Sequence, residues 1–114
     1  VPAGEQKVKQ IQVRIEKRIE QGRVDLGEVA EEVGMSTAGL CRFFRDQTGE
    51  SPYQYIRKKQ MLVACQWLLE GTYTVNETAA RMGFSSASNF IRSFKQIIGM
   101  TPTQLMSQGV LPRI

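Results

Sequence analysis

The sequence contains no histidine, only two cysteines in 114 residues, and no excess of acidic charge, with 15 Lys and Arg against 11 Asp and Glu. Without histidine, the commonest general base and the commonest nitrogen partner of cysteine at a zinc site are both missing. Two cysteines cannot build a disulfide framework. No catalytic residue, metal site or cofactor is therefore expected, and enzyme readings begin at a disadvantage. There is also no tract of roughly eighteen apolar residues, which excludes a membrane-spanning helix. The opening residues run into a charged periodic segment rather than an apolar one, so no signal peptide is read, and a reducing cytoplasm is the expected location. The chain begins with Val1 and not methionine, from which a longer product is expected. What is present is a net charge of +4, which makes polyanions plausible partners without specifying a fold.

Strict apolar alternation is almost absent, and three-to-four spacing of apolar residues is nearly continuous, which predicts an all-α chain. Val8, Ile11, Ile15 and Ile19 mark a helix over 6–21, ended by Gly22. Asp25 with Glu28 has capping-box spacing and opens a second helix with Val29, Ala30 and Val33 on its apolar face. Gly34 breaks it, and Ser36 caps a third helix reaching about residue 47, where Leu40, Phe43 and Phe44 form the buried stripe. Gly49 stops that one. Ser51 and Pro52 then start a long helix to about residue 70, with Cys65 on its apolar side and Trp67, Tyr53 and Tyr55 read as packing.

The second half of the chain repeats the first. Thr74 and Glu77 restate the capping box, and Gly83, Phe90, Arg92, Phe94 and Lys95 match Gly34, Leu40, Arg42, Phe44 and Arg45. Gly99, Thr101 and Pro102 match Gly49, Ser51 and Pro52. The offset is 49 residues between the glycines Gly34 and Gly83 and 50 between Arg42 and Arg92, so one extra residue, Ser85 or Ser86, lies in the second turn. A turn absorbs such an insertion, whereas in a helix it would rotate everything beyond it by about 100°. The expected architecture is two helix-turn-helix subdomains, 1–50 (preceded by the helix over 6–21) and 71–114 (with a short C-terminal helix), joined by a linker helix over 51–70, about seven helices in homeodomain-like units.

Each copy is a capped helix, a glycine turn and a second helix with a basic outer face. On a helical wheel, Leu40, Phe43, Phe44 and Gln47 gather on one side and Ala38, Gly39, Arg42 and Arg45 on the other. The same wheel in the second copy turns Phe90 and Phe94 inward, with Ile97 and Ile98 just beyond, and presents Ser88, Asn89, Arg92 and Lys95.

The runs DLGEVAEEVGMSTAGLCRFFRDQTGESPYQYIR and TVNETAARMGFSSASNFIRSFKQIIGMTPTQL resemble the DNA-binding domain of AraC/XylS-type transcription regulators across about 24–105. The second run is the more specific, with its Gly-Phe turn, Asn-Phe step, aromatic-basic pair and Gly-x-Thr-Pro ending in register. The resemblance implies recognition helices at about 37–47 and 86–97 that read neighbouring major-groove segments of a promoter. It places base-reading positions at Ala38, Cys41 and Arg42 in the first helix and at Ala87, Ser88, Asn89 and Arg92 in the second. It also implies an effector or dimerisation domain N-terminal to this stretch. Here the chain departs from a rich readout: Ala38, Gly39 and Cys41 form few hydrogen bonds, so discrimination in the first unit rests largely on Arg42.

Side-chain chemistry supports the same division of roles. Arg42 and Arg92 suit guanine N7 and O6, and Asn89 suits adenine N6 and N7, because each offers a planar two-point match. Ser36, Thr37, Arg45, Ser86 and Lys95, with the backbone amides at the recognition-helix N-termini, are placed for phosphates, which position without specifying. A linker of 19 residues would be about 28 Å long, comparable with the ~34 Å between successive major grooves on one DNA face, so an asymmetric site with two boxes about one turn apart is expected. Asp25, Glu28, Glu31 and Glu32 read most plainly as a cap and a solvated face, and more sharply as a surface for RNA polymerase. The alternatives to promoter binding are a DNA-binding fragment of a larger DNA-repair alkyltransferase and a helical protein-interaction module.

Overall fold

Local signals decide where each helix begins and ends. The computed structural model describes residues 3–109, and among these it contains seven α-helices and no strand. They are α1 (Ala3–Glu20), α2 (Leu26–Glu32), α3 (Thr37–Thr48), α4 (Pro52–Glu70), α5 (Val75–Arg81), α6 (Ala87–Ile98) and α7 (Pro102–Gln108). Helix α1 begins three residues before the expected start, and Glu5 in its first turn complements the partial positive charge there.

The caps carry the boundaries. Ser36 Oγ accepts from the Gly39 amide at 3.0 Å and Ser86 Oγ from the Asn89 amide at 3.2 Å. Thr74 and Glu77 form a reciprocal capping box at α5. Ser51 with Gln54, and Thr101 with Gln104, do the same at α4 and α7. At α2 only half of the expected box forms: Asp25 accepts from the Gly27 and Glu28 amides, while the Glu28 carboxylate turns toward Arg18. Gly49 and Gly99 end the equivalent helices α3 and α6 at φ +83° and +89°, in the left-handed region that a Cβ disfavours.

The chain divides into two units, Val1–Arg57 and Lys58–Ile114, with the boundary inside α4. In the first unit α1 packs on both α2 and α3, with Ile11, Ile15 and Ile19 fully or almost fully buried beside Val29, Leu40 and Phe44. The Phe44 and Tyr55 rings meet edge to face at 5.4 Å. Helix α1 thus covers the apolar stripe of α2, which a two-helix unit would leave bare. In the second unit, Met61, Ala64, Cys65 and Leu68 of α4 form one core with Phe90 and Phe94 of α6 and Leu105 of α7. The same device therefore appears twice: a long helix braces a short one and the 12-residue helix that follows it.

Three packing expectations change. Tyr53 is 62% exposed while Tyr55 is buried, because residues two apart on a helix point about 200° apart and only one can face the core. Gln47 is exposed, with its amide lying over Gly4 of α1, where a Cβ would approach Oε1 to 2.9 Å. Phe43 is partly buried at the rim of the stripe.

Candidate functional site

Helices α3 and α6 each have one face sealed by aromatic side chains and one face open. In α3, Leu40 and Phe44 are wholly buried, whereas Ala38, Arg42 and Arg45 are exposed and Cys41 is partly buried. In α6, Phe90 and Phe94 are wholly buried and Ile98 nearly so, whereas Ser88, Asn89, Arg92 and Lys95 are exposed and Ala87 is partly buried. The inward residues recur at three and four positions, so the outward ones share a single face.

Arg42, Arg45, Arg92 and Lys95 are exposed, and none has a side-chain hydrogen bond or ion pair among the described residues. Such cations keep their full charge and donor capacity for an external anion. The arginines of the bracing helix behave differently. Arg18 bonds to Glu32 and lies 4.0 Å from Glu28, and Arg14 Nε lies 3.2 Å from Glu32. The Arg18 guanidinium hydrogen bond holds the Glu32 carboxyl below its ordinary value, and the nearby charges of Arg18 and Arg14 act in the same direction. Of the four carboxylates in and capping α2, those of Glu28 and Glu32 are therefore engaged by α1, and Asp25 is the cap.

Exposed Ser36, Thr37 and Ser86 surround the starts of α3 and α6. The Ser36 and Ser86 oxygens accept cap hydrogen bonds, which leaves each hydroxyl hydrogen available to a phosphate. The amides of Thr37, Ala38, Ala87 and Ser88 lie within the first turns, where helix geometry offers them no acceptor.

The turn also identifies the inserted residue. The Met35 amide donates to Ala30 O at 2.8 Å and the Phe84 amide to Ala79 O at 3.0 Å, so Phe84 corresponds to Met35. Ser86 corresponds to Ser36 as the cap. The extra residue is Ser85, and its Oγ accepts from Asn89 Nδ2 at 2.6 Å. Sequence reasoning located this insertion but missed its contact with a candidate base-reading residue; the only signal was two adjacent serines four and three positions before Asn89.

Cys65 is fully buried and burial pushes its thiol up to about 11, so it is core and unreactive at neutral pH. Arg57, Lys58 and Lys59 follow one another in α4, but Lys58 and Lys59 are partly buried, so the three make no continuous exposed basic patch. Among the described residues no group of three or more cysteine or carboxylate side chains is arranged to hold a metal ion. No helix among them is long and apolar enough to cross a membrane.

Residues 29–108 match the family model described as a helix-turn-helix domain. A crystal structure of an AraC-type DNA-binding-domain protein from Chromobacterium violaceum superposes with a TM-score of 0.84 at 26% identity, covering 98% of this chain and 100% of that one. The chain belongs to the AraC-type helix-turn-helix family. A further likeness is to the DNA-binding domain of AdpA, a global transcriptional factor solved with a target DNA, at a TM-score of 0.74 and 25% identity over 89% of this chain and 90% of that one. The probable transcriptional regulator LumQ of Photobacterium leiognathi is 30% identical over 104 residues, which is 88% of this chain. This AraC-type chain spans 42% of the length of LumQ.

Proposed function

We propose that this chain is a sequence-specific module for double-stranded DNA, in which α3 and α6 enter neighbouring major-groove segments. The observation that carries the reading is the recurrence of an exposed, unpaired arginine at equivalent points of the two helices, Arg42 and Arg92, each set on an aromatic inner face. The AdpA domain, similar in fold, is one solved with a target DNA. Arg42 and Arg92 each meet a guanine edge, Asn89 meets adenine, and Ala38, Cys41, Ala87 and Ser88 form the small surface that lets the helices approach the bases. Arg45, Lys95, Ser36, Thr37 and Ser86 hold phosphates and fix the register. For the whole protein we propose a non-enzymatic transcription regulator acting in the cytoplasm, with this module supplying the contact to promoter DNA and an effector or dimerisation domain N-terminal to it. Contact with RNA polymerase through α2 has the less support, since Glu28 and Glu32 are turned toward arginines of α1.

The test is a salt titration of affinity for duplex DNA. Each phosphate neutralised contributes about −0.9 to the slope of log affinity against log salt. A linear fall is expected, and replacing Lys95 or Arg45 with alanine should reduce the slope by about one without changing base preference. An affinity indifferent to salt would remove the reading and favour a protein-interaction module.

A further inference from the structure

We propose that Ser85, the residue by which the second turn is longer than the first, is a positioning residue that fixes the amide of Asn89 for adenine. The inference rests on the DNA-binding reading above and assigns a new part within it. Asn89 Nδ2 donates to Ser85 Oγ at 2.6 Å, and both residues are exposed at the start of α6. An asparagine amide carries two donor hydrogens on Nδ2 and an acceptor at Oδ1. One hydrogen is committed to Ser85, so the edge left open is Oδ1 beside a single N–H. Adenine shows N6–H as donor and N7 as acceptor in the major groove, the complement of that edge. The contact also holds the last torsion of the side chain, so the amide is ordered before the base arrives, whereas an untethered one must be ordered on binding.

Two features of the helix start show that the contact does not serve capping. The Asn89 backbone amide is already satisfied by Ser86 Oγ at 3.2 Å. In the capping boxes of α5 and α7, the residue at the equivalent third position reaches back to the cap amide, Glu77 to Thr74 at 2.9 Å and Gln104 to Thr101 at 2.8 Å. Asn89 occupies that position in α6 but spends its side chain on the extra serine. The first unit has no counterpart, since Gly39 stands where Asn89 does and no residue is inserted before Ser36. The pairing therefore makes the two recognition helices unequal: one reads with Arg42 almost alone, the other with an arginine and a tethered amide.

The experiment measures base preference at each position of a duplex selected by the native protein, using single base-pair replacements and competition binding. Asn89→Ala should erase a preference for adenine at one base pair, a loss of about 5- to 100-fold in discrimination. Ser85→Ala should weaken the preference at that same base pair by about two- to tenfold, the effect of leaving one more rotor to be ordered on binding. The Arg92-dependent position and the salt slope should stay as in the native protein, and Ser85→Thr, which keeps the hydroxyl, should retain the adenine preference. The proposal is overturned if Ser85→Ala keeps the full preference, if it weakens all positions alike, or if Asn89→Ala changes no position. In the first and last of those cases an intact Arg92-dependent preference would leave the DNA-binding reading standing; a native protein with no base preference at all would end both.

Discussion

At the scale of single residues, the duplication supplies its own controls, because most positions in one unit have a counterpart in the other. Thr78 of α5 is fully buried and its Oγ1 has no hydrogen-bond partner. Its counterpart 49 residues earlier is Val29, also fully buried. A valine fits the same branched shape without an orphaned hydroxyl, so Thr78→Val should stabilise the protein by about 1–2 kcal/mol. A urea titration checks this, and an unchanged or lower midpoint would mean that the hydroxyl finds a partner. The sealed and open faces of α3 and α6 were legible from spacing alone, since Leu40, Phe44, Phe90 and Phe94 are buried as the wheel predicts. Tyr53 and Gln47 were not, because a wheel gives a direction and not the neighbour waiting there: Tyr55 takes the inward place, and Gly4 leaves room for an exposed amide. The link between Ser85 and Asn89 was also hidden, since an inserted serine in a turn ordinarily signals only local backbone chemistry.

At the scale of elements, the two units lock their bracing helices by different physics at matching positions. Arg18 and Glu32 form the ion pair between α1 and α2, and 49 residues on stand Trp67 and Arg81. There the Arg81 guanidinium lies 5.7 Å from the Trp67 ring centre and 4.5 Å from that of Tyr73, and the two rings meet edge to face at 4.9 Å. Arg81→Ala should cost about 0.5–1 kcal/mol, the range for an exposed cation over an aromatic ring, and should shift Trp67 fluorescence in the folded state; an unaltered spectrum and stability would show that the stack is incidental. The first brace answers to acid instead. Because Glu32 in the folded chain binds its proton less readily than the ordinary value of 4.5, its contribution is complete above that value and is lost as pH falls through the lowered one. Glu77 is lowered too, chiefly by the Thr74 backbone amide it accepts from, so the α5 cap weakens in the same direction. In denaturation measured from neutral to strongly acidic pH, Glu32→Gln should remove part of the acid dependence and leave the share belonging to Glu77. A curve identical to the native one would deny Glu32 that role. Helix boundaries were legible in the sequence because Ser36, Thr74, Gly49 and Gly99 act on their own turns. The exchange of an ion pair for a stacked cation was not, since it depends on which side chains the packing of two helices brings together.

For the molecule as a whole, the central claim is that one chain carries two reading heads of unequal discrimination, each with its own core and its own exposed arginine. A net charge of +4 favours encounter with any polyanion, so affinity alone says little about this claim. Base preference does. The decisive measurement is selection of bound sequences from random duplexes by the native protein, Arg42→Ala and Arg92→Ala in parallel. Two separable boxes in an asymmetric site are the expected result, with Arg42→Ala relaxing one base pair in one box and Arg92→Ala one base pair in the other, each by about 1–3 kcal/mol. A single box degraded alike by both substitutions, or a native selection with no preferred sequence, would contradict it.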